Sequence, residues 1–123
     1  MKFRWAAAGL AAALLVLALN RESLGLGLAA ARAEQRPELL RDATWERPDS
    51  AKAFSRRFRP GTRAADLIAW LRANDFEIDA QKGSASKRVA GFPCSEEIEI
   101  GWRTHPSGLL GSARAEVREA GCL

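Results

Sequence analysis

Between Arg72 and Phe76 the spacing of the apolar side chains changes, and that change constrains the fold more than any other feature of the chain. Before it, Ala64, Leu67, Ile68 and Leu71 recur three or four residues apart, the spacing of one helix face, while Arg63, Asp66 and Arg72 fall on other faces. After it, Phe76, Ile78 and Ala80 alternate with Glu77 and Asp79, as in a strand with one wet and one buried side. The alternation returns in Ile98, Ile100 and Trp102 against Glu97, Glu99 and Gly101. It returns again in Ala113, Ala115 and Val117 against Ser112, Arg114, Glu116 and Arg118. Between the last two runs, His105-Pro106-Ser107-Gly108 supplies turn residues in the order a tight connection needs, so these strands are expected to form an antiparallel hairpin. Glu97 and Glu99 can then face Arg103, Arg114 or Arg118 across it. The small polar stretch from Gln81 to Arg88 reads as a loop.

Upstream of the amphipathic helix, Asp49 or Ser50 can cap a short helix that carries Phe54 and Phe58 one turn apart. Pro60-Gly61 stops it, and Thr62 is placed to cap the next. The expected fold class is α+β: two short helices packed on a three-stranded antiparallel sheet, in one small domain over residues 51–123. Residues 34–50 mix charges with Pro37 and Pro48 and read as a linker. Its Trp45 is expected either to dock on the domain or to sit at a membrane surface.

Ahead of the linker stands an apolar helix of a different kind. Lys2 and Arg4 precede an unbroken apolar run from Trp5 to Leu19, the pattern of a secretory signal or signal anchor over residues 1–33. The cations stay at the negative inner membrane surface while the run partitions into hydrocarbon. The run is short for a full span, which takes about 20 residues. Cleavage after Ala18 or after Ala33 is one outcome; an uncut anchor with Arg4 and Arg21 at the two interfaces is the other. No cysteine precedes Cys94, so the chain carries no lipobox. The membrane is therefore an expected partner through this segment, with an extracytoplasmic location, secreted or held in the inner membrane.

The formal charge of +4 resides largely in that segment, because residues 34–123 hold 15 basic and 14 acidic side chains. Without a basic patch on the folded part, nucleic-acid binding is not expected. Arg56, Arg57, Arg59 and Arg63 gather near Phe54 and Phe58; they read as a solvated helix end or as a patch for anionic lipid or an acidic partner.

Cys94 and Cys122 are the only cysteines. In an exported chain such a pair reads first as a disulfide joining strand ends, a closure contributing roughly 3–4 kcal/mol. A metal held by Cys94, His105 and Cys122, or free thiols, are the alternatives. There is no CxxC spacing, no Walker pattern around Lys82-Gly83-Ser84, and no carboxylate or thiol placed by sequence beside His105, the only histidine. No catalytic residues, cofactor or metal are expected.

Phe58-x-Pro60-Gly61-Thr62, the helix carrying Leu67, Trp70 and Leu71, and strands ending in Trp102 and Val117 together resemble small envelope domains of the BamE (SmpA/OmlA) type over residues 54–118. The resemblance implies two short helices followed by a three-stranded antiparallel sheet, and a role in binding and assembly. The chain departs from that pattern in lacking a lipidated cysteine and in carrying the cysteine pair. The functional expectation is a non-enzymatic binding or assembly module of the cell envelope, with an envelope protein as partner. Its contact surface is expected at Trp45, Phe54, Arg56, Arg57, Phe58, Arg59 and Arg63. The alternative is a small envelope enzyme or metal-binding protein using Cys94, His105 and Cys122.

Overall fold

A computed structural model describes residues 2–19 and 34–123. The chain divides into two units, Met1–Arg32 and Ala33–Leu123. In the first, α1 spans Lys2–Leu19. No described helix is long and apolar enough to cross a membrane. The interfacial Arg21 and the cleavage point after Ala33 lie outside the described residues.

The second unit is α+β. A 3-10 turn at Glu38–Leu40 leads to α2 (Lys52–Arg57) and α3 (Ala64–Ala73), followed by β1 (Glu77–Asp79), β2 (Ser84–Val89), β3 (Cys94–Thr104) and β4 (Leu110–Cys122). The four strands form one antiparallel sheet in the order β1-β2-β3-β4. The β3–β4 hairpin expected from the alternation is present, with Ile98 opposite Val117 and Ile100 opposite Ala115. His105 N–H donates to the Leu109 carbonyl, Gly108 N–H donates to the His105 carbonyl, and Gly108 takes φ +83°, where a side chain would be strained.

The sheet has four strands rather than three, because Ser84–Val89, which overlaps the loop expected over Gln81 to Arg88, is a strand paired on both sides. Its sequence hides this. On the core side it places Ala85, Lys87 and Val89, so a lysine interrupts the apolar alternation. The Lys87 stem crosses the core edge, and its Nζ donates to the Asn74 carbonyl, 2.7 Å away, at the C-terminal end of α3. On the other side it places Ser84, Ser86 and Arg88, whose short polar side chains carry little strand preference of their own. Pairing with β1 and β3 decides the matter.

The helices lie on the sheet face that carries Ala85, Val89, Ile98, Ile100, Trp102, Ala115 and Val117, all buried. Leu67 and Leu71 of α3 are fully buried, as the helical spacing predicts. Helix starts differ from expectation. The N-caps of α2 and α3 are Ala51 and Arg63, neither with a side-chain cap bond. Asp42, from well upstream, accepts from the Ala53 N–H at 3.0 Å. Thr62 instead uses its carbonyl to accept from Leu110 N–H at 2.7 Å, tying the α2–α3 connection to the start of β4. Helix α3 ends in a Schellman arrangement. Phe76 N–H donates to the Leu71 carbonyl, Asp75 N–H to that of Arg72, and Asp75 sits at φ +60°, a place glycine usually takes.

Residues 34–50 do not run as a free linker. Leu40 is fully buried, Ala43 nearly so, and Glu46 N–H donates to the Val117 carbonyl on the outer edge of β4. The stretch looks like a tether because its apolar residues are few, yet those few reach the core and two charged side chains hold it there.

Candidate binding surface

The helix expected as the contact surface is divided by burial. Phe54 and Phe58 are 0% and 1% exposed, so they belong to the core and are withdrawn as contact residues. Their rings meet each other at 5.1 Å and Trp70 at 5.6 Å, and Trp70 meets Phe76 at 5.5 Å. Centroid separations and tilted planes of this kind are those of favourable aromatic pairs. The one-turn spacing that put both phenylalanines on one face was right; which way that face points was decided by the domain. Arg56, Arg57 and Arg59 remain exposed. The Arg57 guanidinium lies over the Phe58 ring, 4.9 Å from its centroid. Arg63, exposed, pairs with Asp66 at 3.0 Å.

Trp45 docks on the domain while staying 39% exposed. Its indole N–H donates to Glu96 Oε1 at 2.7 Å. The same carboxylate takes two bonds from Arg36, Nε to Oε2 at 2.7 Å and Nη2 to Oε1 at 2.5 Å. Arg36 Nη1 also donates to the Ala43 carbonyl at 2.6 Å. The bond from Arg36, helped by that from Trp45, holds the Glu96 carboxyl below its usual range against partial burial, and the Arg36 pKa is raised chiefly by its bond to Glu96. The sequence did not mark Arg36 and Glu96 as partners. Glu96 occupies the inward parity of β3, where an acid is unusual, and that parity is the one signal that could have marked it.

Cys94 and Cys122 form the expected disulfide between directly opposed strand ends, with Cα atoms 3.9 Å apart. Ligand atoms of Cys94, Glu119 and Cys122 lie within 4.8 Å of one another, but both sulfurs are spent on each other. His105 is not with them. It stands at the turn end of the hairpin, and β3 separates the two ends by about 30 Å at strand rise. The set Cys94, His105 and Cys122 therefore does not assemble into one site. The His105 ring covers Gly111, with Nε2 only 3.1 Å from where a β-carbon there would be.

Among the described residues of 34–123, nothing covers the face of the sheet turned away from the helices. Strand pairing lines up Glu77, Ser86, Glu99 and Glu116 in one row, and Asp79, Ser84, Gly101 and Arg114 in the next. The serines and the glycine leave a shallow depression of about 790 Å³ rimmed by the carboxylates. Glu99 pairs with Arg118, and Arg114 lies 3.7 Å from Asp49. Among the described residues Glu77 and Glu116 have no ion pair, and Glu116 stands directly opposite Glu99. Two carboxylates so placed repel each other. Of the partners the alternation left open for Glu99 (Arg103, Arg114 or Arg118), Arg118 makes the ion pair; the row itself depends on β2 being a strand.

No protein-family model, curated protein or solved structure matches this chain.

Proposed function

We propose that the chain is a non-enzymatic binding or assembly module of the cell envelope, exported and either released or held at the inner membrane by its N-terminal apolar segment. Its partner is a protein presenting a cationic surface to the open face of the sheet. The observation that carries this reading is the row Glu77, Glu99 and Glu116 across a shallow face that no described residue of the domain covers, with two of the three carboxylates lacking an ion pair among the described residues. A face of this kind costs the free domain some repulsion, which a cationic partner relieves. Support for the extracytoplasmic setting is the Cys94–Cys122 disulfide, since such bonds persist in oxidising compartments. Kinship with BamE-type domains belongs to the same proposal. Two helices ahead of an antiparallel sheet support it, and the fourth strand and the disulfide depart from the expected pattern.

Cross-linking in the native envelope tests the reading. Wild-type protein should capture a partner that the Glu77→Lys/Glu116→Lys variant loses, while Arg56→Glu/Arg57→Glu keeps it. Equal capture by the wet-face variant, with its fold intact by circular dichroism, would sink the assignment of this face.

A further inference from the structure

Four large apolar side chains of residues 34–123 are exposed: Trp45 at 39%, Phe92 at 40%, Leu109 at 37% and Leu123 at 85%. Leu109 stands alone near the β3–β4 turn. The other three sit together at the opposite end of the sheet. Trp45 and Phe92 border one shallow depression with Val89, Pro93 and Cys94, and Leu123 is fastened beside them by its N–H bond to the Pro93 carbonyl at 2.9 Å. The chain also enters the domain here. Glu34 lines the same depression, and its N–H donates to the Ala90 carbonyl at 2.6 Å. Glu34 is the first described residue after the apolar helix Lys2–Leu19, so the chain that follows the membrane-directed segment joins the domain at this end.

The described part of that helix is short for a crossing. Its 18 residues rise about 27 Å, against roughly 30 Å of hydrocarbon, and no described helix is long and apolar enough to cross a membrane. Weak single attachments become durable when a second contact joins them. Exposed aromatic rings beside the incoming chain are the side chains that favour the boundary between headgroups and acyl chains. The indole N–H of Trp45 is already satisfied by Glu96, and Arg36 fixes that carboxylate in turn, so the ring is held rigidly and brings no unpaired donor with it.

We propose that the end of the domain bearing Trp45, Phe92 and Leu123 is a membrane seat, which enters the interfacial layer of the bilayer that the N-terminal segment engages. The inference rests on the tethered form of the function proposed above and adds a second membrane contact to it. The seat's rings stand beside the carboxylates of Glu34 and Glu96, with no lysine or arginine lining the depression, so its binding does not depend on anionic lipid. Contact through Arg56, Arg57 and Arg59 would depend on anionic lipid and on salt.

The test uses the full chain on phosphatidylcholine vesicles whose acyl chains are brominated near the headgroup. In the Trp5→Phe protein, bromine should quench emission, and the quenching should disappear in Trp5→Phe/Trp45→Phe, because Trp102 and Trp70 lie within the domain. Phe92→Ser/Leu123→Ser should weaken vesicle partitioning at least five-fold, by the same factor at low and high salt. Quenching of Trp5 in the wild type without quenching of Trp45 overturns the seat and leaves the tether standing. Absence of both overturns the tether and the seat together. Partitioning that requires anionic lipid and vanishes in salt assigns the contact to the arginines and overturns the apolar seat.

Discussion

Arg36 and Glu96, 60 residues apart in the chain, meet in a two-pronged ion pair at the edge of the core, with contacts of 2.7 and 2.5 Å. The pair joins the segment before the helices to the inward side of β3. Trp45 completes it from the same segment, so one carboxylate holds two points of an otherwise polar stretch. What reads in sequence as a linker is thereby part of the domain.

Removing the charge at Glu96 should release that stretch. Glu96→Gln leaves Arg36 without its anion in a half-buried place, and we expect a loss of about 2 kcal/mol in urea unfolding. The same pair sets an acid limit. The native carboxyl titrates below its ordinary value, so its contribution is complete at neutral pH. It declines as pH falls past the unfolded value of about 4.3 and is gone below the depressed native one. Urea midpoints measured from pH 7 to pH 3 should fall less in Glu96→Gln than in the wild type.

Gly83 takes φ +65° in the β1–β2 connection, and a β-carbon there would come within 2.4 Å of the Trp102 carbonyl oxygen. Gly83→Ala should cost about 2–4 kcal/mol, from a strained backbone and a backbone clash together. Gly108→Ala, with a positive φ but open space around it, should cost only about 1 kcal/mol. Equal losses at the two sites by thermal unfolding would contradict the close approach.

Asp75 occupies the left-handed position that closes α3. Asp75→Gly should raise stability by about 0.5–1 kcal/mol, since glycine takes this conformation without steric strain. A lower melting temperature would mean that the aspartate makes up the strain by an interaction not visible in its surroundings.

Reducing the Cys94–Cys122 bond, which spans 28 residues, should lower unfolding stability by about 3–4 kcal/mol on the loop-entropy argument. Cys94→Ser/Cys122→Ser should show the same loss without reductant, and wild-type thiols should react with alkylating agents only after reduction. Free thiols in protein taken from its native envelope would remove the support the disulfide gives to an extracytoplasmic setting.

The sequence by itself determined what short-range patterning can carry. The spacing of Leu67 and Leu71 fixed a helix face, the alternation through Ile98 to Trp102 and Ala113 to Val117 fixed two strands, and Pro-Ser-Gly between them fixed the hairpin. Register then brought the cysteines together. Tertiary structure decided the rest, for one physical reason: each feature depends on a partner distant in the chain. Ser84–Val89 became a strand because β1 and β3 pair with it, and Lys87 found a helix end to cap. Residues 34–50 became part of the domain because Glu96 awaited Arg36 and Trp45 on the inner face of β3. Phe54 and Phe58 turned inward because Trp70 and the sheet offered them burial that solvent does not. The row of carboxylates and the exposed aromatic end are likewise products of register and chain path, since their members are scattered along the sequence and become neighbours only in the folded domain.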